Sequence, residues 1–172
     1  MELSFKTRNR FIVVGHARHG KDTVGDILAD RLSLTAKSSS MVAAEKVVMP
    51  YIERFKGITY DSVEEAYEDR VNYRSTWYDA IVEFNTPDKT KLAREIFKDS
   101  SIYVGLRSQK ELWAIKAAGL VDFIIWVDAL DRLPPESPKS MTIQPWEADF
   151  HIDNNGSLEA TIFQVETLAK RF

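Results

Sequence analysis

The feature that most constrains this chain is a short apolar run that ends abruptly in glycine. Phe11, Ile12, Val13 and Val14 lead directly into Gly15-His16-Ala17-Arg18-His19-Gly20-Lys21-Asp22-Thr23, after which Val24, Ile27, Leu28 and Leu32 recur at helical spacing. An unbroken apolar, β-branched run predicts a strand buried on both faces, and the recurrence behind it predicts a helix from about Lys21 to Leu32. Between them lies G-x-x-x-x-G-K. Glycines at these positions let backbone N–H groups turn inward around an anion. The helix N-terminus adds partial positive charge, and the lysine reaches the outer phosphates of a bound polyphosphate. Such a string also arises by chance in turns; the strand before it and the helix behind it are what distinguish a phosphate cradle.

The candidate nucleotide-binding residues are therefore Gly15, His16, Ala17, Arg18, His19, Gly20, Lys21, Asp22 and Thr23. The motif departs from its usual form at one place, where Asp22 stands in the position of the Ser or Thr that follows the lysine. Asp22 is expected to hold magnesium, directly or through water, or to face the acceptor as a base. Thr23 is expected at the α- or β-phosphate or at the metal. His16 and His19 shape the loop or touch phosphate; a metal role would need further ligands at suitable spacing, and none appears.

The remaining chain alternates strands with helices, which predicts an α/β fold of the P-loop NTPase type: a doubly wound, mainly parallel sheet with helices on both faces. Strands are predicted at Leu34 to Ser40, Ile102 to Val104, Phe123 to Val127 and Phe150 to Ile152. The first of these opens into a serine-rich loop. Met41 to Phe55 reads as helical as far as Pro50. Ser62 to Phe84 reads as one long amphipathic helix, or two broken near Asn72. Thr86-Pro87-Asp88 reads as a turn and helix start with Pro in the first helical position. Further helices are predicted at Ser108 to Ala118 and Ser157 to Lys170. The whole is one domain, 1–172, with an acceptor-binding helical insert over about 41–98 and a lid-like loop over about 131–147. No apolar run approaches the ~20 residues of a membrane span. Cysteine is absent, which removes disulfides and thiolate chemistry and fits a reducing compartment. The net charge of -3 lacks the basic excess usual in duplex-binding modules.

On the acceptor side, Asp69, Arg70, Asn72, Arg74 and Trp77 fall on one predicted helix. Arg70 and Arg74, four apart, share a face and can grip a phosphate through bidentate hydrogen bonds. Asp69 can orient or deprotonate a hydroxyl. The plainer reading is a solvated charge ladder, with Trp77 in the core. Arg107 follows a strand ending in glycine, a suitable place to reach a transferred phosphate; otherwise it pairs with Glu111, four residues on. Arg132 falls where a lid would cover the triphosphate, and Asp128 ends the strongest strand.

Gly-Lys-Asp-Thr in the cradle, Tyr103-Val104-Gly105-Leu106-Arg107 followed by Glu111, Ser140-Met141-Thr142-Ile143, and Ile152 to Glu159 together resemble the deoxynucleoside monophosphate kinases of tailed phages. Gly15 to Thr23, Ser38 to Ser40, Asp69 to Trp77 and Asn85 to Asp88 resemble a sub-group of short phage P-loop kinases, whose relatives phosphorylate 5-hydroxymethyluracil in DNA. The resemblance implies ATP and Mg2+, catalytic roles for Lys21, Asp22, Asp69 and Arg107, and acceptor contacts from Ser38, Arg70, Arg74 and Trp77. It implies as acceptor hydroxymethylated DNA or a free deoxynucleoside monophosphate, in the cytoplasm of an infected bacterium. A homodimer is compatible with it. An alcohol acceptor needs a carboxylate nearby, whereas a monophosphate needs several cations. A regulatory ATPase would need a Walker-B carboxylate, for which only Asp128 is available.

Overall fold

The computed structural model describes residues 9–172. Its centre is β1 (Phe11–Val14), whose four residues are all fully buried. Side chains alternate across a strand, so Ile12 and Val14 enter one core while Phe11 and Val13 enter the other. β1 runs parallel to β3 (Ile102–Val104) on one side and to β4 (Phe123–Asp128) on the other. β2 (Ala36–Ser38) and β5 (Phe150–Asp153) complete an all-parallel sheet in the order β2-β3-β1-β4-β5. With the glycine-bearing turn between β1 and α1 (Lys21–Leu32), this is an α/β fold of the P-loop NTPase type.

One face of the sheet is covered by α1 and the closing helix α8 (Leu158–Ala169), through Val24, Leu28, Val165 and Leu168. The other face is covered by a helical region and by α7 (Gln109–Ala117). That region departs from the sequence expectation at the serine segment and at Pro87, and between them it takes the second of the two forms expected after Ser62, a pair of helices broken near Asn72; each has a local cause. The chain turns helical at once after β2: α2 (Ser39–Ala43) replaces the expected serine loop, and a π-helical stretch Ala44–Val48 carries it into α3 (Met49–Lys56). Pro50 does not end the helix, because the wider turn before it accommodates a residue with no N–H to donate.

The segment after Ser62 is two helices, α4 (Val63–Asp69) and α5 (Arg74–Phe84). They part because Asp69 accepts from the Asn72 side chain at 2.6 Å, a local bond that competes with helix continuation. Finally, Pro87 is not in a first helical turn. Asp88 accepts from both the backbone and the hydroxyl of Thr90, and α6 begins only at Lys91 (Lys91–Ile96).

Candidate active site

Gly15 and Gly20 are required by geometry. Both have positive φ, 150° and 94°, and a Cβ on Gly15 would stand 2.4 Å from the Val127 carbonyl oxygen. On Gly20 it would stand 2.2 Å from Asn154 Nδ2. That Asn154 amide donates to the His19 carbonyl at 2.9 Å and its Oδ1 accepts from Thr161, so the end of β5 and α8 brace the cradle. Gly20 caps α1 with no side-chain bond, which leaves the first amides of the helix directed at the site. Lys21 is buried, and its ammonium donates to the loop's own His16 carbonyl at 2.7 Å. Burial, and then the Arg107 charge, lower its pKa from 10.5 to about 8.

The two histidines brace the loop. His19 is fully buried, and its Nδ1 accepts from the Ala129 amide at 3.1 Å, while Nε2 has no partner. His16 Nδ1 accepts from the Glu136 amide at 3.0 Å, and its pKa is lowered by burial and by His19 and Lys21. Arg18 projects into solvent at a positive φ of 63°. Asp22 and Thr23 are exposed in the first turn of α1.

Glu136 is the residue that sequence reasoning missed. Its Oε2 accepts from the Ala17 amide at 2.8 Å, and its Oε1 is ion-paired with Arg107. A carboxylate thus sits on a cradle amide and a guanidinium, donors that would serve a phosphate equally well. Arg107 pairs with Glu136, not with Glu111. Burial, and then the nearby Arg70 guanidinium, lower its pKa.

Beside Arg107 opens a cavity of about 690 Å3 between α5, α7 and the turn after β3. Trp77, Tyr78 and Ile81 form one wall, with Ser39, Ser40, Asn85 and Glu111 at other points of the lining. Of the Ser38 to Ser40 segment, Ser39 and Ser40 line the cavity; Ser38 is paired in β2 with Val104 and does not. Two of the three buried side-chain atoms without a hydrogen-bond partner among the described residues, Trp77 Nε1 and Asn85 Nδ2, belong to residues of this cavity. Asn85 Oδ1 accepts from the Leu92 amide, which fixes the amide so that Nδ2 is the free end. Burial raises the pKa of Glu111, while the nearby Asn85 amide and Lys89 pull it down. That amide stands beside the carboxylate without making a hydrogen bond of regular geometry.

The predicted arginine pair does not form. The break between α4 and α5 separates Arg70, which stacks 3.8 Å over the Tyr67 ring, from Arg74, which is exposed and away from the cavity. Asp69 is held by the Tyr60 hydroxyl at 2.8 Å and by Asn72, and it does not line the cavity either. Arg132 donates twice to the Asn154 carbonyl, so it pins the start of the loop that follows β4 instead of reaching over the cradle. Asp128 accepts from Leu130 and Asn155, the capping role.

No protein-family model and no curated protein matches the chain. Among solved structures it is similar to a putative kinase from Chloroflexus aurantiacus j-10-fl, at 17% identity over 97% of this chain and 98% of that one, with a TM-score of 0.47. A gluconokinase from Sinorhizobium meliloti 1021 matches at 13% identity over 95% and 94%, with a TM-score of 0.46. A shikimate kinase from Aquifex aeolicus vf5 matches at 14% identity over 94% and 96%, with a TM-score of 0.45. These likenesses are distant. The fold assignment stands on the strand order and on the cradle between β1 and α1.

Proposed function

We propose that the chain is a phosphotransferase that moves the γ-phosphoryl group of ATP, bound in the Gly15 to Thr23 cradle, to an acceptor in the cavity beside Arg107. The observation that carries this reading is the carboxylate of Glu136, an anion already seated on the Ala17 amide and Arg107 at the point where cradle and cavity meet. The residues fit a triphosphate: a buried ammonium and inward amides sit at one end, and a guanidinium is shared with the cavity. Among the described residues no group of three or more His, Cys, Asp or Glu side chains could cage a metal. A magnesium ion would therefore rest on phosphate oxygens with Asp22 and Thr23, the arrangement usual for this ion, and would neutralise phosphate charge. Lys21 and Arg107 stabilise charge on the transferred group, and the loose transition state asks little more of the protein than positioning. Where Asp22 is not taken by the metal, it is the carboxylate at the cradle to which the proton of an acceptor hydroxyl would pass.

For the acceptor we favour the hydroxymethyl group of a 5-hydroxymethyluracil-type base in DNA. Trp77 Nε1 and Asn85 Nδ2 offer two unpaired donors and Glu111 an acceptor, the complement of an imide edge in which two carbonyls flank an N–H. Uracil presents that edge; cytosine presents an amino group and a bare ring nitrogen in its place. Both donors are shielded from water in this structure, so a base would pair with them only by displacing the cavity wall. The base must be flipped out or single-stranded to enter. A second reading, a free deoxynucleoside monophosphate, draws support from Lys89, Lys110 and Lys139, which with Arg107 give the cavity cations for a phosphate.

The test uses γ-labelled ATP and Mg2+ with hydroxymethyluracil-containing single strands or duplexes, or with each deoxynucleoside monophosphate. Label retained on DNA supports the first acceptor, and a diphosphate product the second. Release of free phosphate that no acceptor changes overturns the transferase reading. Trp77→Phe and Glu111→Gln are each expected to weaken acceptor use by roughly tenfold, with ATP binding unchanged.

A further inference from the structure

We propose that Glu136 is an internal occupant of the phosphate cradle, a latch that an incoming polyphosphate must displace. The inference rests on the reading of Gly15 to Thr23 as a polyphosphate site and concerns how access to that site is controlled. Glu136 is held at three points: Oε2 by the Ala17 amide at 2.8 Å, Oε1 by Arg107, and its own N–H by His16 Nδ1 at 3.0 Å. Only 16% of its side chain is exposed.

The loop that carries Glu136 is anchored on both sides, and between the anchors its hydrogen bonds to other parts of the protein are those of Glu136 and one from Leu133 back to Ala129. Arg132 is bonded to the Asn154 carbonyl before it, and Thr142 donates to the Arg107 carbonyl after it, with Met141 and Ile143 buried in the core. Residues 133–140 lie mostly exposed between those anchors. This segment can lift without disturbing the sheet.

A carboxylate and a phosphate oxygen take the same donors, so Glu136 and a polyphosphate cannot both hold the Ala17 amide and Arg107. With the latch closed, the negative charge also compensates Arg107 and so offsets part of its repulsion of Lys21. Two consequences follow. The observed affinity for polyphosphate is the intrinsic affinity reduced by the fraction of molecules with the latch open. Arg107, which borders the acceptor cavity, is released for the transferred group only once the cradle is filled. Nucleotide entry and preparation of the acceptor side thereby become one event.

Calorimetric titrations of the full chain with pyrophosphate and with a β,γ-imido triphosphate would test the latch in wild type, Glu136→Ala and Glu136→Asp. Aspartate keeps the charge but is one methylene too short to hold the Ala17 amide from the same backbone position. The latch predicts at least ~10-fold tighter binding for Glu136→Ala and at least ~3-fold for Glu136→Asp. Unchanged or weaker binding in Glu136→Ala overturns it. So does an effect confined to Glu136→Ala, since that would be loss of charge alone. Amide hydrogen exchange on the wild type covers the case of a poorly folded variant: pyrophosphate should speed exchange over residues 133–140, and slowed or unaltered exchange also overturns the latch. Tightened binding without transfer to any acceptor would retain the latch and remove the transferase reading. Transfer with unaltered affinity in the variants would do the reverse, and no polyphosphate binding by any of the proteins would remove both.

Discussion

Lys21 is held at the expense of the fold, and that cost can be measured. Its ammonium is buried beside Arg107, and its pKa falls from 10.5 to about 8. At ~1.4 kcal/mol for each tenfold change in proton affinity, that fall corresponds to roughly 3 kcal/mol of destabilisation at neutral pH. A lysine whose pKa drops on folding destabilises the native state wherever both states carry the proton, here below about pH 8. The penalty fades as pH rises from there towards 10.5.

Lys21→Met removes the buried charge and keeps the length of the stem. It also loses the bond to the His16 carbonyl, which offsets ~1.5 kcal/mol of the gain. The unliganded variant should therefore be more stable than wild type at pH 7 by ~1–2 kcal/mol, or ~3–6 °C in Tm for a chain of this size. Urea unfolding in chelator, without nucleotide, from pH 6 to 10 is the assay. The gap between the two proteins should be constant below pH 7, narrow from pH 8 upwards, and reverse once only the lost hydrogen bond remains. A variant less stable than wild type at pH 7, with a gap that pH does not alter, would refute the reasoning. The same substitution should abolish polyphosphate binding.

Asp69→Asn should leave transfer within about twofold of wild type and cost ~1 kcal/mol in urea unfolding, because Asp69 is occupied by Tyr60 and Asn72. A large loss of activity on an alcohol acceptor would restore it as a base. Gly20→Ala should cost at least ~1 kcal/mol in thermal unfolding, since it combines a strained φ with a clash on Asn154. It should also weaken triphosphate binding measured by calorimetry; unaltered values on both counts would show that the brace from β5 is dispensable. Arg74→Ala should leave transfer unchanged, because the residue is exposed and away from the cavity; a tenfold loss would place it on the acceptor after all.

The strand, glycine turn and helix around Gly15 to Thr23 were determined by sequence alone because their cause is local. An apolar run needs burial, glycine permits positive φ, and the helix starts where its side-chain period starts. The same holds for the strands at Ile102 and Phe123 and for the Ser157-capped closing helix. What tertiary structure decided were the contacts between distant segments. Glu136 meets Ala17 across 119 positions, and Asn154 meets His19 across 135. No spacing rule signals either pairing. The acceptor side misled for a related reason: Arg70 and Arg74 share a face only if one helix runs through both, and a side-chain bond from Asn72 to Asp69 ends that helix between them. Periodicity reports which residues seek burial. It does not report which polar groups find one another once the chain has folded.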